Sequence, residues 1–219
     1  MLHLFLKGGP VMWPLLVTSL VSLSTIFERI IASYREKRRR RPADVRVILR
    51  ELREDNIPAA LEAGTLSSDF VARCLACGLQ CYATDFGVAY QHQAARELRR
   101  LSRGLPILDT VITLAPLLGL LGTVTGMIHA FGLMGASELE APTAITGGIA
   151  EALIATAFGL GIAITSLIPF NWLNAKVERA QHELQDLGTQ AEMQLTRALQ
   201  KPALRRPSDD RQPSALSHS

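Results

Sequence analysis

Three long apolar stretches, separated by strongly charged ones, set the plan of this 219-residue chain. They cover residues 10–27, 106–134 and 142–173. A hydrocarbon core of ~30 Å needs about 20 helical residues at ~1.5 Å each. The first stretch just suffices if its ends snorkel, and the other two are long enough to tilt or to project beyond the bilayer. The expected fold class is all-α, a polytopic membrane protein with three transmembrane helices and long helices extending into the cytoplasm. The expected order is an N-terminal periplasmic segment (1–9), transmembrane helix 1 (10–32), a cytoplasmic helical region (33–104), transmembrane helix 2 (105–134), a periplasmic connector (135–141), transmembrane helix 3 (142–173), a cytoplasmic helix (174–200) and a disordered tail (201–219).

Helical periodicity continues between and after the spans. Val45, Ile48, Leu49 and Leu52 fall at i, i+3, i+4 and i+7, which makes one apolar stripe. Asn56 and Pro58 predict a helix start and Gly64 its stop. Ser67 or Ser68 is expected to cap a further helix through Cys81, and residues 85–101 are expected to run as a helix into the second span. Beyond the third span, Leu173, Val177, Ala180, Leu184, Leu187 and Ala191 recur at steps of four and three, extended by Ala198. That is a short heptad seam, and it suggests that the third helix continues past the membrane. An amphipathic helix lying on the other cytoplasmic helices fits the same pattern. From Lys201 the chain is rich in Pro, Ser and charge, a composition that favours disorder.

Composition agrees with the membrane class: 48% of residues are hydrophobic, and the mean hydropathy is positive. Charge adds orientation. The run Arg35-Glu36-Lys37-Arg38-Arg39-Arg40-Arg41 follows the first span, Arg96, Arg99, Arg100 and Arg103 precede the second, and Lys176 and Arg179 follow the third. The connector between spans two and three carries Glu138 and Glu140 and no basic residue. Under the positive-inside rule the N-terminus is outside and the C-terminus inside. The first span lacks a basic n-region and a small-residue cleavage site, so it reads as a retained anchor. The basic runs are topology determinants and contacts for anionic membrane lipids. A nucleic-acid partner would need a soluble fold with interleaved aromatics, which the sequence does not offer.

Cys74, Cys77 and Cys81 include a Cys-x-x-Cys ligand spacing, but no fourth ligand is near, and packing is the favoured role. No cofactor or metal is expected. Nor does the chain carry a nucleophile–base set or a phosphate loop, so it is not expected to be an enzyme.

The chemistry concentrates in the second and third spans. Glu151 is a lone carboxylate in the stretch 144–170, which holds no Lys or Arg. A charge at that depth costs on the order of 3 kcal/mol or more, so the default expectation is a functional site. Thr123 lies about ten residues from the outer end of its helix and Glu151 about nine from the outer end of its own, which sets both roughly 14 Å from the outer boundary. Thr156 is somewhat over one turn deeper. Gly119, Gly122 and Gly126 in the second span, and Gly148, Ala152, Ala155, Gly159 and Ala163 in the third, are spaced for close helix approach. Pro116 removes a backbone bond in mid-span and is expected to kink the helix. His129, near the outer end, is not expected to act as a relay.

At these residues a family resemblance becomes clear. Residues 108–127, together with Gly147-Gly148-Ile149-Ala150-Glu151-Ala152-Leu153-Ile154-Ala155-Thr156-Ala157 and Gly159-Leu160, closely resemble the MotA/TolQ/ExbB proton-channel family. The opening Gly8-Gly9-Pro10-Val11-Met12-Trp13-Pro14, with Glu28-Arg29, is most similar to its ExbB branch. The resemblance implies a multi-pass subunit of the bacterial inner membrane that forms a homo-oligomeric ring, a pentamer, around the helices of a single-span ExbD-like partner. The complex would use the proton gradient to energise a TonB-like protein that drives biopolymer transport across the outer membrane. The resemblance also implies a pore-lining set, here Thr123, Glu151 and Thr156. A proton path across ~30 Å needs more than one titratable group. This chain offers a single deep carboxylate, and the resemblance supplies the second as a membrane aspartate of the partner. TolQ-like envelope maintenance, a MotA-like stator and a passive scaffold are the alternatives, and three spans rather than four argue against the stator.

Overall fold

The computed structural model describes residues 8–132 and 141–204, the side chains of 141–145 and 201–204 excepted. The described residues form seven α-helices and no strand: α1 (Met12–Arg39), α2 (Pro42–Arg53), α3 (Ile57–Leu66), α4 (Phe70–Gln80), α5 (Phe86–Ser102), α6 (Leu105–Gly132) and α7 (Ala141–Leu204). Three of them, α1, α6 and α7, are long and apolar enough to cross a membrane, as the hydropathy pattern predicts. The connector (135–141) lies outside the described residues up to residue 140, and so do the first seven residues and the tail from 205. The chain divides into two compact units, one made of residues up to 39 with 97–182, the other of residues 40–96 with those from 183 on.

In the first unit the usual arrangement of polarity is reversed. Helix α1 turns Thr18, Ser22, Thr25, Arg29, Ser33 and Glu36 inward at steps of three and four. Outward it presents large apolar side chains, among them Trp13 at 63% exposure and Phe27 at 68%. Water would penalise that face, whereas lipid welcomes it and leaves polar groups to find partners inside the protein. They find them. Ser22 Oγ meets Ser166 Oγ of α7 at 2.6 Å, and the Thr18 and Thr25 hydroxyls donate to the carbonyls of Pro14 and Val21 one turn back. At the charged end, Lys176 Nζ donates to the Ser33 carbonyl at 3.1 Å and to its hydroxyl, and Arg100 pairs with Glu36 at 3.7 Å.

Helices α6 and α7 run antiparallel and approach through small residues. Two apolar side chains gain nothing from leaving lipid for each other, so dispersion at short range must hold the pair. A methyl group added at Gly159 would lie 2.5 Å from the Ala115 carbonyl oxygen, and one at Gly126 would lie 3.0 Å from that of Gly148. Gly119 backs onto the Thr156 backbone, Gly122 onto Ala155, and Gly148 onto Ala130. Above this seam Val11, just ahead of α1, and Met12 and Leu15 within it pack on Ala115 and Ala155. Pro116 stands inside α6 without ending it. The helix expected over residues 85–101 is α5, which ends at Ser102, and Gly104 turns the chain at φ +86° before α6 begins. Only glycine adopts that backbone without strain.

The second unit is built on the predicted stripe: Val45, Ile48, Leu49 and Leu52 are all buried. Asn56 caps α3, its side chain accepting from the Ala59 amide. Gly64 does not stop that helix, which continues to Leu66. It serves instead as a point of contact, where a methyl would sit 2.9 Å from Ala76 Cβ of α4. The cap of α4 is Asp69 rather than either serine. Its fully buried carboxylate accepts from the amides of Val71 and Arg41 and pairs with Arg40, which a hydroxyl with one oxygen cannot match. Ser67 supports this cap by accepting from the Asp69 amide and donating to Asp44. Cys74 is buried and Cys81 lies exposed at the end of α4. The seam on α7 is present: Leu184, Ala191 and the added Leu195 are buried in this unit, and Leu173 and Ala180 in the first.

Tyr90 anchors α5 in this unit. Its ring stacks on Phe86 and covers Gly188, where any side chain would fall on it. Its hydroxyl donates to the Leu184 carbonyl at 2.6 Å.

Two outcomes follow from this packing. Gly159→Val pushes a branched side chain into a backbone oxygen that cannot swing away, and should cost about 1–3 kcal/mol or more, read as a lower melting temperature in detergent. Burial raises the Tyr90 phenol above its ordinary value. Its contribution is therefore complete below about pH 10 and is lost as pH rises toward the folded value. Tyr90→Phe should cost about 1 kcal/mol at neutral pH, and the gap between the two proteins should narrow in alkaline melts.

Candidate proton-pathway site

Glu151 sits on α7 one residue before Ala152, which is buried in the small-residue seam. A turn of ~100° per residue therefore carries the carboxylate off the seam, and it points toward the start of α1. There it lies directly over Gly9: a methyl at that position would fall on Glu151 Oε1. Gly9 also has φ +73° and accepts the Met12 amide through its carbonyl, which begins the turn into α1. Its missing side chain makes room for the acid, and its positive φ is one that glycine adopts without strain. The side chain is half-buried, and among the described residues no group donates a hydrogen bond to it or pairs with its charge.

Thr156 turns elsewhere. Its hydroxyl donates across the seam to the Gly119 carbonyl at 2.9 Å, with the Ala152 carbonyl of its own helix at 3.2 Å. Polar ties of this kind in membranes are worth about 0.6 kcal/mol on average, so this is a modest clamp between α6 and α7. Thr123 donates to the Leu120 carbonyl one turn back. It lines an apolar groove on α6 with Val124, Met127, Ile128, Phe131 and Gly132. Gly126 lies against Gly148 and Ala115 against Gly159. That register brings Thr123 and Glu151 to one height. No hydrogen bond joins any two of the three residues within the chain. Each hydroxyl spends its proton on a carbonyl and keeps its lone pairs as acceptors.

Sequence reasoning singled out Glu151 but not Gly9, its seat. The signal was the Gly8-Gly9-Pro10 run at the mouth of the first span, read there only as part of a resemblance. The inward polar stripe of α1 also has its signal in the sequence, the spacing of Thr18, Ser22, Thr25, Arg29, Ser33 and Glu36. Among the described residues there is no group of three or more His, Cys, Asp and Glu side chains able to hold a metal.

Residues 70–186 match the model of the MotA/TolQ/ExbB proton channel family, a region that includes α6, the apolar part of α7 and all three candidate residues. The chain belongs to that family. Its members are membrane transport components rather than enzymes. Among curated proteins of the family, the biopolymer transport protein ExbB-like 1 of Synechocystis sp. is 37% identical over 198 residues, 86% of this chain and 76% of the relative. The biopolymer transport protein ExbB of Xanthomonas campestris pv. campestris is 37% identical over 105 residues, 45% of this chain and 42% of the relative. The Tol-Pal system protein TolQ of Haemophilus influenzae is 39% identical over 88 residues, 40% of this chain and 39% of the relative.

Gly9→Ala is the sharpest probe of this geometry. It should displace the Glu151 carboxylate and lower proton flux through the purified complex at least tenfold, with the assembly unchanged on native gels. Flux equal to that of the unaltered protein would mean that the seat is not needed.

Proposed function

We propose that this chain is the ring-forming subunit of a proton-motive-force-driven motor of the bacterial inner membrane. It is of the ExbB type, and with a single-span ExbD-like partner it energises TonB-dependent transport across the outer membrane. The observation that carries the reading is Glu151: a carboxylate in an apolar span, half-buried and without a partner among the described residues, in a chain of a proton channel family. An acid left so can exchange a proton with water or with a neighbouring polypeptide, and neither stability nor packing accounts for its presence.

In this reading five copies line a central path, and Thr123, Glu151 and Thr156 form the polar wall facing the partner. Glu151 orders water and tunes the partner's membrane carboxylate. Protonation of that carboxylate biases rotation or tilting of the partner inside the ring. The N-terminus is periplasmic and the C-terminus cytoplasmic, in keeping with basic residues at one end of every span. The ExbB branch is favoured over TolQ by the extent of the ExbB-like match, 198 residues against 88 for TolQ. A TolQ-like role in envelope maintenance is the second reading, since that shorter match is 39% identical against 37% for the longer one.

Replacing Glu151 by Ala should abolish energy-dependent uptake through outer-membrane receptors and leave ring assembly intact. Normal uptake by that variant would overturn the assignment. Mass analysis of the native complex distinguishes the branches, by whether an ExbD-like or a TolR-like partner is recovered.

A further inference from the structure

Asp109 is a second membrane acid in this chain, four residues into α6. Its side chain is exposed, and among the described residues nothing donates to its carboxylate or pairs with it. Arg99 and Arg103 precede it across the Gly104 turn, but no ion pair joins either to it, and Arg100 is taken up by Glu36 and Glu97. An acid in the first turns of a helix gains from the helix dipole, and this alone would explain an interfacial Asp. Its register says more.

Steps of four and three from Asp109 reach Thr113, Pro116, Leu120, Thr123 and Met127, one face of α6. The buried residues of the helix, from Leu108 through Ala115, Gly119 and Gly122 to Ala130, lie on another. The face that carries Thr123 therefore leads down to Asp109, over fourteen residues or about 21 Å. Along it Thr113 is exposed and donates to the Asp109 and Thr110 carbonyls, which leaves its oxygen lone pairs outward. Pro116 has no amide proton, so the Ile112 carbonyl beside this face lacks its helical donor. Hydroxyl oxygens, a released carbonyl and a terminal carboxylate are the groups that hold a file of water in an apolar wall.

We propose that Asp109 is the proton-transfer group at the charged end of the path, so that this subunit supplies the terminal acid as well as Glu151. The proposal rests on the proton-pathway reading given above. A proton arriving through water along the α6 face adds to the Asp109 carboxylate and then leaves to bulk water on that side. The acid is regenerated, and no other bond changes.

The test uses the whole complex, co-purified with its native partner and reconstituted into liposomes with a trapped pH dye. Asp109→Asn should cut proton flux at least tenfold with unchanged assembly, while Asp109→Glu, one methylene longer, should keep flux within about threefold. A merely structural acid gives a different pattern, because the isosteric amide would conduct as well as the unaltered protein, and that result overturns the proposal. Glu151→Gln run in parallel separates the two claims. If it abolishes flux and Asp109→Asn does not, only the terminal-acid assignment fails. If the unaltered complex conducts no better than Glu151→Gln, the pathway reading fails and this inference with it.

Discussion

Helices α6 and α7 meet backbone to backbone, and the rest of the first unit is organised around that contact. Lipid offers no hydrophobic gain for pairing two apolar helices, so proximity itself must supply the attraction. Gly119, Gly122, Gly126, Gly148 and Gly159 provide it by leaving out side chains where the two ridges cross. Once the pair is fixed, Val11, Met12 and Leu15 have a surface to pack on, which brings Gly9 to the Glu151 carboxylate. The acid is thus held by an element that touches the seam without belonging to it.

Polarity follows the surroundings that each unit is built for. In the first unit hydroxyls and charges turn inward along α1 while tryptophan and phenylalanine face out. In the second, the ordinary order returns, with Ile48, Leu52, Leu75 and Leu79 fully buried. The same hydrophobic pattern therefore carries opposite meanings in different parts of one chain, and span length alone indicates which applies.

The three spans, the stripe of α2 and the seam of α7 were legible because each is a repeated pattern. Hydropathy and periodicity average over many positions, and tertiary contacts rarely overturn them. What escaped was single-residue geometry. Gly64 was read as punctuation and proved to be a packing contact, because a glycine's local preference says nothing about a neighbouring helix. Asp69 took the cap expected of Ser67 or Ser68, since three donors converge there and need a carboxylate. The left-handed turn at Gly104, between α5 and α6, leaves no periodic trace, because one residue carries it. In the site, Glu151 was evident from its loneliness among apolar residues. Its contact with Gly9 joins positions 142 residues apart, which no local pattern encodes.

That contact bears on how the molecule can be handled. Since main chain at the mouth of α1 covers the acid with no side chain to spare, any change of backbone at Gly9 reaches the acid directly. Affinity tags and fluorescent fusions placed there would pull on the covering segment itself.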